Sequence, residues 1–495
     1  MRRIALAAAL AALGGPTAHA QGYRVRLDTR LQTASFRGVD LDSIPAADAI
    51  AGAGGGLETA DGFAVTCGFD GFCRFFRPGA PIRSAPLVQQ VDGTAWGFGL
   101  TGVSVRMNAR LLTDLTAADA WPGTEPALQL LEGYAEYAAA AFTARAGRQE
   151  LTSALGPVGF DGGRLLIRHA RTHLDGEIFA GWGLARATAL PITSPALNPL
   201  DEYRPLQRGI VVGGGLGWTG VGASLRADYL RELEGDTRYF VSERAALAGE
   251  LRPMARWSLS GSAEYDLAEG WWGTADARLR YVATRVTAEA GVRRYRPRFD
   301  LWTIWGAFSP VPYTAGTASL WVRPVPRLEL RGSAERYAFA PTETSTPLVD
   351  VEDAGWRVGG GATFAITPRW SVDADLRSEF GPGAASWQLE GGLSYAPRTA
   401  MILSARAATL RRPLELRFDD ARVNMLALDA TVPLGGALQA SLGAARYGEA
   451  RRRPDAAGVD WNQTRLYVRL TALLGRQADQ LPLPPARRKS AWASP

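Results

Sequence analysis

What most constrains this chain is a period-two alternation of polar and apolar residues that recurs from about 23 to 474, interrupted by turns. Successive side chains of a strand point to opposite faces, so each run carries one apolar and one polar face. In 257–267, Ser258, Ser260, Ser262, Glu264 and Asp266 share one face, and Trp257, Leu259, Gly261, Ala263, Tyr265 and Leu267 the other. In 285–293, Arg285, Thr287, Glu289 and Arg293 oppose Val286, Ala288, Ala290 and Val292. In 370–380, Ser371, Asp373, Asp375, Arg377 and Glu379 oppose Trp370, Val372, Ala374 and Leu376. A soluble sandwich would alternate too. It would have no reason to place Trp257, Trp370, Tyr265, Phe380, Tyr281 and Tyr229 at or near strand ends, most of them on the apolar face. Aromatic rings collect there when the strand ends lie at a membrane interface.

The start of the chain supplies the context. Arg2 and Arg3, the apolar stretch IALAAALAAL and the sequence AHA ending at Ala20 form the three parts of a secretory signal over 1–20. No later stretch approaches the ~20 apolar residues that a membrane-crossing helix needs. An exported chain with so many amphipathic strands is expected to close into an all-β, transmembrane antiparallel barrel with a polar bore, in the bacterial outer membrane. Counting hairpins gives about 22 strands, with roughly 18–24 compatible. Short connections (219–220, 252–255, 284–285, 323–327, 367–369, 396–399, 433–436) alternate with longer ones (114–127, 188–207, 298–313, 341–352, 413–420, 450–459). Short turns facing the periplasm and long loops facing outside give that asymmetry. The expected organisation is a signal over 1–20, one barrel over 21–474 with an insertion at 37–85, and a Pro- and Arg-rich disordered tail over 475–495.

The net charge of +6 falls to +4 once Arg2 and Arg3 are removed, and nearly every basic residue is arginine. The only cysteines, Cys67 and Cys73, stand six residues apart in the insertion. An oxidising compartment favours a disulfide between them. A metal or haem site lacks a CxxCH motif, and beyond the signal only His169 and His173 are present. No cofactor, metal site or Ser-His-Asp arrangement is expected, and the chain does not read as an enzyme. The glycine runs at 213–215 and 359–361 lie in strands with no helix after them, so they are not phosphate loops. Arginines spread along the chain and matched by acids do not form a nucleic-acid footprint. With only Gln21 and Gly22 between the signal and the first strand, no plug precedes the barrel. The insertion, with Phe69, Phe72, Phe75 and Phe76, could fold into the bore, cover its mouth, dock a protein partner or pack on itself.

The polar faces carry arginines that could line a pore: Arg24, Arg26, Arg106, Arg110, Arg145, Arg164, Arg168, Arg226, Arg278, Arg280, Arg293 and Arg331. A guanidinium stays charged and offers a planar fork to carboxylates. The bland alternative is that each pairs with Asp or Glu across a neighbouring strand and stiffens the wall.

One local stretch, 128–168, carries Gly147, Arg148, Gln149 and Glu150, then Phe160, Asp161, Gly162 and Arg164. It resembles the stretch in alginate-export-type porins in which a GRQEL strand is followed by FDG and an Arg-containing strand. The resemblance implies an outer-membrane barrel passing polymeric or sugar-like anionic solutes through an Arg-lined pore. This chain differs in its larger strand count and its cysteine-bearing insertion. The expected function is therefore a porin-like channel, set in outer-membrane lipid, for hydrophilic, anionic sugar-like solutes. The alternative is a structural barrel that houses or docks a partner protein such as a periplasmic electron carrier or a surface assembly.

Overall fold

The computed structural model describes residues 22–52, 56–116, 128–184, 209–233, 240–296, 312–340, 354–381, 386–398, 400–415, 418–451 and 461–476. Among them, 22 strands form one antiparallel sheet closed on itself. The first strand, Gly22–Gln32, pairs on one side with Pro86–Trp96 and on the other with the last, Trp461–Arg476. Every other strand pairs with its neighbours in the chain. Residues 475 and 476, expected in the tail, instead end the last strand, and the signal and the rest of the tail, from 477 onward, lie outside the described residues.

The alternation places side chains opposite to their places in a soluble fold. Leu259, Leu279, Leu376 and Leu426 on the outer face are 44–55% exposed, whereas Gln149, Glu177, Asp228 and Gln463 on the inner face are 1–4% exposed. Fully burying a side chain of the leucine class is worth about 1.5–3 kcal/mol. A barrel wall has no second layer to cover so many of them. Lipid is the medium that covers this face, and a closed barrel is the β-structure that can sit in lipid with its backbone satisfied. Among the described residues no helix is long and apolar enough to cross a membrane.

Aromatic pairs mark both edges of the apolar belt. Trp257–Tyr281 (4.9 Å) and Trp370–Tyr395 (4.2 Å) lie at the rim with the short turns. Tyr265–Trp272 (5.1 Å) lies at the other rim. The first rim is bounded by connections such as 220–222, 255–256, 283–285 and 326–327; the second carries 33–85, 115–127, 184–209, 296–312, 340–353 and 452–460. The stretch 413–420 is not the long loop its Pro and Asp residues suggest. Met401–Glu415 and Phe418–Gly435 stay paired to Glu415↔Phe418, and Pro413, which has no N–H to give, takes a position without a ladder partner.

The insertion after the first strand is a small sheet. Ala34–Pro45 pairs with Phe72–Ser84, and Thr66–Cys67 adds a short third strand. Cys67 and Cys73 stand opposite each other in register and are disulfide-bonded. The strand period sorts the aromatic run: Cys73 and Phe75 are buried on one face, whereas Phe72 and Phe76 are exposed on the other. Phe75 packs on Phe63 at 5.6 Å, with Ile44 and Val65 around them and the Arg77 guanidinium 5.3 Å from the Phe75 ring. At the tip, Phe69 is fully exposed, and a hydrogen bond from Arg74 holds the Asp70 carboxyl below the usual carboxylate range.

The insertion is joined to the barrel at its base. Gln463 Nε2 donates to the Ser35 carbonyl at 2.5 Å, Thr33 exchanges two bonds with Leu466, and Ala85 N and Ser84 Oγ donate to Asp114. Phe69 at the tip and Leu41, which lies opposite Phe76 with 60% exposure, are not covered by the wall.

Candidate functional site: the bore and its inward-folded hairpin

Twenty-two strands spaced ~4.8 Å apart and tilted ~40° enclose a ring roughly 40 Å across. By strand register the twelve arginines of the sequence reading lie on the polar face of the sheet, the face that also carries Glu177, Asp228 and Gln463. Most are held by carboxylates on neighbouring strands. Arg106 bridges Glu132 (2.7 Å) and Asp92 (3.3 Å), and Arg145 pairs with Glu136. Arg164 pairs with Glu177 at 2.7 Å. Arg226 lies among Asp228 (2.8 Å), Glu177 (3.2 Å) and Asp175 (3.7 Å). Arg293 pairs with Glu335 at 2.8 Å, and Arg331 holds Asp375 with a two-pronged contact. Arg110 donates to Gln129, and Arg168 donates to Thr143 Oγ1 at 3.2 Å. For these, wall-stiffening pairs account for what is seen.

Four arginines keep accessible heads. Arg26 and Arg278 touch Asp28 and Asp276, yet their side chains remain 49% and 54% exposed. Arg24 and Arg280 are exposed and have no ion-pair partner among the described residues. All four lie in the halves of Gly22–Gln32 and Trp271–Val282 nearer the short-turn rim. Sequence reasoning missed Arg244, Arg357 and Arg406, which also face inward, paired with Glu264, with Glu335 and Glu379, and with Glu390 respectively. Their period-two position was the available signal. Arg357 also lies over the Tyr337 ring at 4.4 Å.

The wall is not an even cylinder. The hairpin of Phe142–Ser153 and Gly156–His169 folds inward over four neighbouring strands. Ala154 N donates to Asp228 Oδ2 at 3.2 Å, and Arg244 Nη1 donates to the Leu155 carbonyl at 3.3 Å. Beneath the tip, Leu151, Leu155, Val158 and Phe160 form a buried apolar cluster with Phe179, Val211, Leu230 and Ala246 of the wall. Phe160 stacks on Phe179 at 5.2 Å, and Gly213 leaves the room that the Phe179 ring fills.

The bend lies on a row of glycines in register, Gly147↔Gly162↔Gly181. A β-carbon on any of them would come under 3.0 Å from a neighbouring strand's backbone, and Gly147 has φ +126°. On the concave side of a sharp inward bend only glycine fits. The GRQEL and FDG residues meet here. Gly147 and Gly162 make the crease, and Gln149 and Phe160 are buried on the inner side. On the outer side Arg148 grips Asp161 through both oxygens, at 2.6 and 2.7 Å. Glu150 is exposed on the outer face. His169 and His173 are exposed beside a short turn, with His169 Nδ1 2.7 Å from Thr172 Oγ1.

No family model and no curated protein matches this chain, so the local likeness to alginate-export porins has no family match behind it. Solved structures of similar shape include a ferric enterobactin receptor variant from Pseudomonas aeruginosa in complex with enterobactin (TM-score 0.49, 12% identity, covering 92% of this chain and 82% of that one). Acinetobacter baumannii OccAB1 is similar with TM-score 0.40 and 8% identity, covering 93% of this chain and 99% of that one. Pseudomonas aeruginosa OccK3 is similar with TM-score 0.40 and 10% identity, covering 92% and 96%. The closed barrel itself stands on the strand pairing described above.

Proposed function

We propose that this chain is an outer-membrane channel through which hydrophilic, anionic sugar-like solutes pass. The observation that carries the reading is a polar wall around a wide bore, with an apolar face turned outward. The accessible heads of Arg24, Arg26, Arg278 and Arg280 support the anionic preference. Carboxylates paired with many of the other inward arginines leave the wall mixed in charge, so the expected selectivity is weak, and these four are the part of it tested by substitution.

Planar-bilayer recording tests this reading. Purified protein is expected to give stepwise conductance with a reversal potential displaced toward the anion in a salt gradient. Changing Arg24, Arg26, Arg278 and Arg280 together to Ser is expected to shift that potential to the cation side. A sealed barrel would contradict the channel, and an unchanged potential would remove these residues from selectivity.

The exposed Phe69, Phe72 and Phe76 at the mouth favour a second reading, in which the barrel docks a partner protein there. Stoichiometric co-purification lost on changing Phe69 to Ser, with no conductance from the isolated chain, would favour it over the first.

A further inference from the structure

Three observations meet at residues 149–160. The ladder between Leu128–Ala138 and Phe142–Ser153 stops at Arg148↔Gly133. Residues 128–132 and 149–153 therefore face each other without pairing, across a seam in a wall that is otherwise closed. Unpaired strand edges are costly beside lipid, and each edge is a template for the other. Within the seam, Arg148 Nη1 donates to the Leu130 carbonyl at 2.9 Å, which takes up an acceptor left without its ladder partner. At its foot lies the glycine crease, the one place where this hairpin can bend sharply without a side chain in the way.

We propose that residues 149–160 are a hinged flap. In the position seen, the flap lies on the inner wall, narrows the bore and leaves the seam open. In the other position it straightens about Gly147 and Gly162, and its free edge continues the ladder on 128–132. The seam then closes, and the tip leaves Asp228 and Arg244 open to the bore. Arg148 switches with it, because the Leu130 carbonyl is released to a backbone N–H. The inward position is held by the apolar cluster and the two bonds to Asp228 and Arg244; the straight position is held by the restored ladder.

The test is a cysteine pair, Leu128→Cys with Thr152→Cys, in the full chain in lipid. Both residues are exposed on the outer face, and the native cysteines are already bonded to each other. Ala135→Cys with Ala146→Cys, opposite each other in the intact ladder, is the positive control. Mild oxidation is expected to cross-link both pairs, as read by mass spectrometry, with the control faster. Gly162→Ala is expected to raise the rate for the first pair, because the added carbon does not fit the crease. A first pair that stays reduced while the control oxidises would overturn the hinge, as would a rate that Gly162→Ala leaves unchanged.

The narrowing of the bore rests on the channel reading and is tested separately. Single-channel current is expected to rise on cross-linking and fall again with reductant. An unchanged current in a conducting barrel would overturn the narrowing. Cross-linking in a barrel that never conducts would support the hinge and speak against the channel alone.

Discussion

Arg226→Leu is expected to destabilise the barrel by about 3–5 kcal/mol, the cost of removing one partner from a buried ionic group. The side chain lies among three carboxylates, two of which, Glu177 and Asp228, are each only 4% exposed. Without the guanidinium, Asp228 keeps its bond from Ala154 N, and Glu177 keeps only Arg164 as its cation. Adding Glu177→Gln to the variant is expected to recover part of the loss, because it removes a buried charge that has lost half its neutralisation. Arg26→Leu is the contrast. Asp28 retains Arg469 and Thr471, and Arg26 is half exposed, so the expected cost is below about 1 kcal/mol. Urea unfolding in lipid vesicles measures both. Equal shifts for the two variants would show that the Arg226 cluster is not a buried charge network.

The second large effect is on the outside. Leu376 lies in the middle of Trp370–Phe380 on the outer face, 51% exposed in the bare protein. Leu376→Arg is expected to cost about 2–4 kcal/mol in the same unfolding measurement, the penalty for a charge at the bilayer midplane on a barrel's lipid face. Ser319 occupies a similar height on the inner face, between Glu289 and Ser333. Ser319→Arg is expected to change stability by less than ~1 kcal/mol, because its head reaches water. Equal costs at the two sites would mean that the two faces do not meet different media.

The barrel was legible because each strand repeats one physical statement, greasy on one side and wet on the other, and closure is the arrangement that leaves no edge. The disulfide was legible because two cysteines in an exported chain have few other roles. The pairing of individual arginines was not legible. Which acid meets Arg106 or Arg331 depends on register, and a one-residue slip would send each side chain to the other face. The inward hairpin was also hidden. Most of its sequence alternates like any other strand, but Leu151, Val158 and Phe160 occupy inner-face positions that elsewhere carry polar residues. That local break in the pattern, beside Gly147 and Gly162, was the available signal. Nothing local in the sequence specifies that the tip meets Asp228 and Arg244, which lie 74 and 89 residues further along the chain from Ala154 and Leu155 respectively.

The most direct test is thiol labelling along Trp257–Asp266 in lipid vesicles, with single cysteines at Ser258, Ser260 and Ser262 on one face and at Leu259 and Ala263 on the other. A water-soluble, membrane-impermeant maleimide is expected to label the serine positions, while fluorophores at Leu259 and Ala263 are quenched by probes carried on lipid acyl chains. Uniform labelling of all five, or lipid quenching at the serine positions, would contradict a barrel with lipid outside and water within.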